Sequence, residues 1–395
     1  MTWRFSGDSG RIERVAVLRA LKLGDLLCTV PALRALRHAL PEADIRLVGL
    51  PWSRELVDRF DGYLDGLFEL PGFPGFPEVP FDARAFARFL GEVHAWGPDL
   101  VLQLHGSGDL SNPLALLLGG RHVAGYYLPG QYCPDPASFI PYPDDVPEVR
   151  RPLRLLEHLG IGARGLHKEL PIRPADRVRL AALLADGGLA RAAPTDAGPA
   201  DGAPADAEPD QAATLGTAWL AGHATMSGYV VVHPGASVPE RRWPPERFAA
   251  VADALAGQGL AVVLTGSAVE APITAAVAAQ MRRPSIDLAG RTGLGTLAAL
   301  LSDAALLVSN DTGVMHVAEG VDTPLVAVSF DPESWRWAPL DVGRFRIVLG
   351  GYAVTAEDLL GAATALLCSR PGESERRADF AGQTPDARDV ADGGA

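Results

Sequence analysis

From Arg14 onward, short apolar runs of β type alternate with segments of helical period, and the alternation occurs twice, on either side of a stretch that fits neither pattern. In the first half, residues 15–18, 45–50 and 100–104 read as strands, with a fourth near Val123. Residues 25–39 read as a helix, with others near Glu55 and over 149–159. In the second half, 229–233, 261–265, 285–288, 304–308 and 345–349 read as strands; 245–256, 271–281, 294–302 and 356–367 read as helices. Strands rich in Val, Leu and Ile that alternate with helices predict a parallel sheet covered on both faces. Residues 192–217 are Ala, Pro and Asp with almost no large apolar side chain, a composition that cannot repay ordering and reads as disordered. The expected fold is α/β, with two Rossmann-like domains over 12–175 and 229–368. A linker over 176–228 joins them, and a disordered tail fills 369–395.

At 395 residues the chain suits two domains, on the usual ~100–200 residues each. No uncharged apolar run approaches the ~18–20 residues of a membrane span. The N-terminus, Met1-Thr2-Trp3-Arg4-Phe5-Ser6, lacks a signal-peptide core, so the expected location is cytoplasmic, with peripheral contact at the inner face of the membrane left open. Three cysteines, with no C-x-x-C pair, support neither a disulfide framework nor structural zinc. The net charge of −13 is unevenly placed: residues 192–217 and 371–395 together hold −8 of it. The rest carries basic clusters at Arg34/Arg37 and Arg150-Arg151-Pro152-Leu153-Arg154. A nucleic-acid partner is not expected, but a small anionic ligand is compatible with this distribution.

In an open α/β sheet, ligands sit outside the carboxyl ends of the strands, so the turns after strands carry the candidate chemistry. After 304–308 comes Ser309-Asn310-Asp311-Thr312-Gly313, then a helical pattern containing His316. Asp311 is the expected N-cap, and Thr312 and Gly313 would offer free backbone N–H groups and a positive helix end to a phosphate. After 229–233 comes Pro234-Gly235-Ala236-Ser237, then Arg241-Arg242-Trp243-Pro244-Pro245. Here Pro-Gly makes the turn, Ser237 brings a hydroxyl and Arg241 a permanent cation. Glu270, after Thr265-Gly266-Ser267, could meet ribose hydroxyls or sit in a first helical turn, and Arg291-Thr292 reads as a lip over a nucleotide base. In the first half, Arg19, Lys22, Gly24 and Asp25 follow the first strand, Gly24 permitting a tight turn and Asp25 heading the helix. His105, in Leu104-His105-Gly106, follows a later strand and either faces the cleft or is structural.

Gly293-Leu294-Gly295-Thr296-Leu297-Ala298 matches a dinucleotide fingerprint, but the acidic residue expected ~20 positions on is missing, so it reads as a decoy. The chain contains no D-x-D to hold a metal against a diphosphate, and no Walker A, H-E-x-x-H or G-x-S-x-G. No metal or other cofactor is therefore expected, and protein donors would have to neutralise a bound diphosphate.

Taken in order, Arg19…Gly24-Asp25…Pro31-Ala32-Leu33, His233-Pro234-Gly235-Ala236…Arg241-Arg242-Trp243-Pro244 and Ser309-Asn310-Asp311-Thr312-Gly313…His316 resemble glycosyltransferase family 9, the ADP-heptose:lipopolysaccharide heptosyltransferases. The resemblance implies a GT-B fold, with the acceptor held by the N-terminal domain and the nucleotide-sugar by the C-terminal domain, and metal-independent inverting transfer of a heptose or related hexose. It implies Asp25 as general base, with Ser237, Arg241, Thr312 and Gly313 on the leaving diphosphate, Asp311 orienting that turn and His316 supporting it. The expected donor site adds Glu270, Arg291 and Thr292; the expected acceptor site comprises Arg19, Lys22, Gly24 and His105. Ala20 and Leu21 stand where many family members carry small hydroxyl residues, so the acceptor stays open between a lipopolysaccharide-like glycan and another acceptor. A UDP-, GDP- or dTDP-sugar donor, and a non-catalytic nucleotide-sugar-binding protein, are the alternatives.

Overall fold

The computed structural model describes residues 11–186 and 228–368. Two six-stranded parallel sheets are each covered by helices on both faces. The first contains β1 (Arg14–Leu18), β2 (Asp44–Gly49), β3 (Gly66–Glu69), β4 (Leu100–Gln103), β5 (His122–Tyr127) and β6 (Phe139–Pro141), in the order β3-β2-β1-β4-β5-β6. The second contains β7 (Tyr229–His233), β8 (Ala261–Leu264), β9 (Ile286–Asp287), β10 (Leu306–Asn310), β11 (Leu325–Ser329) and β12 (Phe345–Leu349), in the order β12-β11-β10-β7-β8-β9. The two orders are the same winding, so each sheet reverses direction once, between β1 and β4 and between β7 and β10. Those reversals are where such sheets open a crevice for ligands.

Strand alternation sorts side chains into three apolar layers. Val15 and Val17 on β1, Tyr229 and Val231 on β7 and Leu307 on β10 belong to one buried cluster that runs without a break across the domain boundary. Ala16 and Leu18 point to a layer confined to the first domain, and Val230, Val232, Leu306 and Val308 to one confined to the second. The shared middle layer fixes how the two crevices face each other.

The sequence reading needs three corrections here. The helix expected over 25–39 is two, Leu23–Leu27 and Val30–Ala39. Pro31 has no N–H to bond the Leu27 carbonyl and continue the first helix, and the Thr29 hydroxyl donates to the Asp25 carbonyl at 2.9 Å. Residues counted as the start of the linker form the helix Pro174–Asp186, which packs on Leu294–Ser302 of the second domain. Five further elements were not anticipated: β3, β6, β11, and the helices Ala83–Trp96 and Ser111–Leu117. The disordered segments expected at 192–217 and 369–395 lie outside the described residues.

Candidate functional site

Of the turns that the sequence singled out, those after β1, β4, β7 and β10 border the two sheet reversals, and those after β8 and β9 lie farther along the second sheet. After β1, Lys22 occupies the N-cap of Leu23–Leu27, and Asp25 lies in the first turn rather than at its head. Gly24 was expected to permit a tight turn; it is instead an ordinary helical residue chosen for space. A Cβ there would come within 2.5 Å of His316 Cδ2, because this helix packs on Gly313–Gly320 across the domain boundary.

The Asp25 side chain is 23% exposed, with Oδ1 3.6 Å from Arg19 Nη2. Arg19 is only 2% exposed, so it braces the turn instead of reaching for an acceptor. It donates to Glu148 Oε1 at 2.7 Å, to the Asp25 carbonyl at 3.2 Å and to the Leu104 carbonyl. Arg151 also donates to Glu148. Burial pushes the Glu148 carboxyl up, but Arg19 and Arg151 outweigh it and hold the group below the usual carboxylate range. A buried carboxylate with two guanidinium partners leaves Arg19 with charge to spare for Asp25.

His105 sits behind this turn. Its Nδ1 accepts the Ala20 N–H at 3.1 Å and its ring stacks on Phe76, centroids 4.2 Å apart. Burial, aided by the Arg19 charge, lowers its pKa to about 3. The imidazole is therefore neutral with its proton on Nε2.

In the second domain, Asn310 joins the two turns at the reversal. Its Oδ1 accepts the Trp243 N–H at 2.9 Å and its Nδ2 donates to the Pro234 carbonyl at 2.8 Å. The sequence reading did not single out this residue, although a polar side chain ending a wholly apolar strand was the signal for it. Asp311 is not the N-cap: that position is Thr312, in extended geometry, and the helix is Gly313–Gly320. Asp311 is drawn the other way, accepting from the Ser329 hydroxyl at 2.7 Å, and burial raises its pKa despite that bond. Thr312 Oγ1 is buried with no hydrogen-bond partner among the described residues, as expected of a donor awaiting a ligand.

Arg241 is half exposed and reaches Asp331 at 3.2 Å, whereas Arg242 is committed to the Ala236 carbonyl at 2.8 Å. Trp243 is fully buried, edge-on to Phe248, and anchors this arm. Ser237 is exposed at the turn. Glu270 forms a capping box with Ser267, accepting its N–H at 2.8 Å and hydroxyl at 2.7 Å, and lies close behind Gly235. The first-turn reading of Glu270 holds, and the same carboxylate backs the Pro-Gly turn. Burial would raise its pKa, but the Ser267 bonds outweigh this and lower it. Exposed Arg291 and half-buried Thr292 follow β9. Gly295 of the decoy fingerprint meets Arg59 of the first domain and Asp176 of the helix Pro174–Asp186, so its small size serves packing between the parts.

His316 does not face the open cleft. Lys168 Nζ donates to its Nδ1 at 2.9 Å and to Glu319 Oε2 at 2.6 Å, and Cys28 Sγ lies 4.0 Å from the same nitrogen. An ammonium can only donate, so the imidazole is the acceptor in this contact. Lys168 and Cys28, neither anticipated from sequence, thus tie the first domain to the helix of the Thr312 turn.

The family described as glycosyltransferase family 9 (heptosyltransferase) matches residues 196–349. Lipopolysaccharide heptosyltransferase 2 of Escherichia coli K12 is 27% identical over 82% of this chain and 85% of its own length. Lipooligosaccharide heptosyltransferase 2 of Haemophilus influenzae is 38% identical over 27% of this chain. That match spans about a third of the relative's own length, 32%. A crystal structure of a family 9 glycosyl transferase from Veillonella parvula superposes with a TM-score of 0.68 at 22% identity, covering 90% of this chain and 97% of that one. That of the E. coli ADP-heptose heptosyltransferase II gives 0.64 at 20% identity, covering 90% and 98%. The fold is GT-B.

Proposed function

We propose, from its likeness to glycosyltransferase family 9, that the chain belongs to that family and transfers a heptose or related sugar from an ADP-sugar to a lipopolysaccharide-type acceptor, with inversion and with Asp25 as general base. The observation that carries this reading is the packing of the Asp25 helix directly on the helix of the Thr312-Gly313 turn, across the domain boundary. A carboxylate on one side of the cleft and anion donors on the other is what direct displacement requires. The acceptor oxygen attacks the anomeric carbon as the bond from that carbon to the diphosphate oxygen breaks. The bonding pair leaves with the diphosphate, and the hydroxyl proton passes to Asp25.

A carboxylate is a weak base, so the contribution of Asp25 rests mainly on placement. Arg19 and the buried Glu148 behind it supply that placement. On the donor side, Arg241, the Thr312 hydroxyl, the free N–H groups that open Gly313–Gly320 and Ser237 would take the developing charge of the diphosphate, with no metal required. Donors of this kind are worth a few kcal/mol each, about 10²–10³ in rate. Arg241 would exchange Asp331 for the diphosphate. Glu270, Arg291 and Thr292 line the turns where the nucleoside would lie, and neutral His105 offers Nε2–H to the acceptor side.

Asp25→Ala is expected to lower transfer by at least 10³-fold while leaving the Kd for ADP within threefold, measured by product formation and calorimetry. Unchanged turnover would overturn the base assignment. Calorimetry with ADP, UDP, GDP and dTDP tests the donor: ADP is expected to bind tightest, and tighter binding of another nucleotide would replace it.

A further inference from the structure

At the domain boundary lies a pocket of about 330 Å³ lined by Lys22, Leu23, Trp52 and Glu55 of the first domain and Leu294 of the second. Lys22 caps and Leu23 opens the helix that carries Asp25, so the pocket lies against the start of that helix. Trp52 is 42% exposed, unusual for a residue whose area normally favours burial. It is not on a loose loop. It sits in the single turn Pro51–Ser53 after β2, pinned by the Ser53 hydroxyl and N–H, which both donate to the Leu50 carbonyl, at 2.6 and 2.9 Å.

Two polar groups flank the indole. The Lys22 residue is exposed and its side chain has no hydrogen-bond or ion-pair partner among the described residues, so its ammonium has donors to offer. Glu55 is held by Arg59 at 3.1 Å, and Arg59 is itself clamped by Asp176 at 2.7 Å. The carboxylate is therefore fixed in place and retains free acceptor positions. A flat aromatic face with a donor and an acceptor beside it suits a ring that has an apolar C–H face and a rim of hydroxyls.

We propose that this pocket is a sugar subsite for the acceptor. One of its pyranose rings stacks on Trp52, with hydroxyls directed to Lys22 and Glu55, so that an adjoining hydroxyl is delivered to Asp25. This inference rests on the transferase reading above. Leu294 closes the subsite from the donor-binding domain, so the ring would be enclosed only when the two domains are together.

The test uses the full chain, ADP-heptose and a deacylated inner-core lipopolysaccharide oligosaccharide as acceptor. Trp52→Ala is expected to raise the acceptor KM and the calorimetric Kd for the oligosaccharide at least tenfold, with kcat changed less than threefold and the Kd for ADP unchanged. Trp52→Tyr, which keeps an aromatic face, is expected to recover most of the loss; a merely structural role would move ADP binding and thermal stability as well. Wild-type transfer with both variants within twofold in acceptor KM and Kd would overturn the subsite and leave the transferase reading intact. Absence of transfer by the wild-type chain would count against that reading. The oligosaccharide Kd would still decide the subsite: a tenfold weakening in Trp52→Ala supports it, and equal affinity or no binding to wild type overturns it.

Discussion

Gly24 and Asn310 show what a side chain, or its absence, is required to do when two turns must meet. At Gly24 the sequence suggests a backbone role, yet the residue is helical with no positive φ, and the constraint comes from the His316 ring 292 positions later. Contact between segments so far apart has no local signature, which is why the residue was legible and its reason was not. Gly24→Ala would force the first-domain helix off Gly313–Gly320. The expected cost is about 1–3 kcal/mol, as for other overpacked sites, read as a lower denaturation midpoint, together with a fall in kcat as Asp25 shifts. A midpoint equal to wild type would mean that the His316 ring moves aside freely. Arg19 is the converse case: its place after the first strand was evident, but an exposed acceptor ligand and a buried brace look alike until Glu148, from far along the chain, is seen beside it.

At the scale of elements, the strands that border the reversals were legible because each is a continuous apolar run ending in a turn residue. β7 and β12 match the expected spans to the residue. Of those that escaped, β6 is three residues between prolines and tyrosines and β3 begins with a glycine, whereas β11 escaped despite being a fully buried apolar run. The helix Ala83–Trp96 did carry a signal, Asp82 at its N-cap, whose carboxylate accepts from Arg84 N and Ala85 N at 2.9 and 3.0 Å. What no element shows alone is how the two arms of the proposed anion site are coupled. Asn310, at the last position of β10, bonds the Pro234 turn with one side of its amide and the Trp243 arm with the other. Asn310→Ala strands a buried N–H and a buried carbonyl, at about 1–3 kcal/mol each. The expected result is a folded but less stable protein whose ADP affinity falls at least tenfold. Calorimetry beside a denaturation curve checks both, and unaltered ADP affinity would show that the arms hold their places independently.

The whole molecule is two copies of one winding held face to face, and ion pairs between the parts accompany the shared apolar layer. Arg59 grips Asp176 with bonds of 2.7 and 3.0 Å, tying the first domain to the helix that packs on Leu294–Ser302, and Lys168 grips Glu319 at 2.6 Å. Composition could not reveal these pairs, since any of the 48 acidic residues might have been a solvated surface charge. The Arg59 bonds lower the Asp176 pKa; at Glu319 burial acts upward, but the charge and hydrogen bond of Lys168 hold the pKa down as well. A carboxyl whose folded pKa lies below its unfolded value adds stability that is complete above the unfolded pKa, near 4, and is lost as the pH falls through the folded value. The melting temperature is therefore expected to be flat from pH 7 to about 5 and to drop below about 4, as these pairs are neutralised. Glu319→Gln leaves Lys168 buried against His316 without its counter-charge, and removing one partner of a buried pair costs about 3–5 kcal/mol. Its deficit should be largest at pH 7 and shrink as the wild type loses the same pair in acid. A deficit of constant size across the pH series would show that Glu319 contributes shape and packing rather than charge to the joint between the domains.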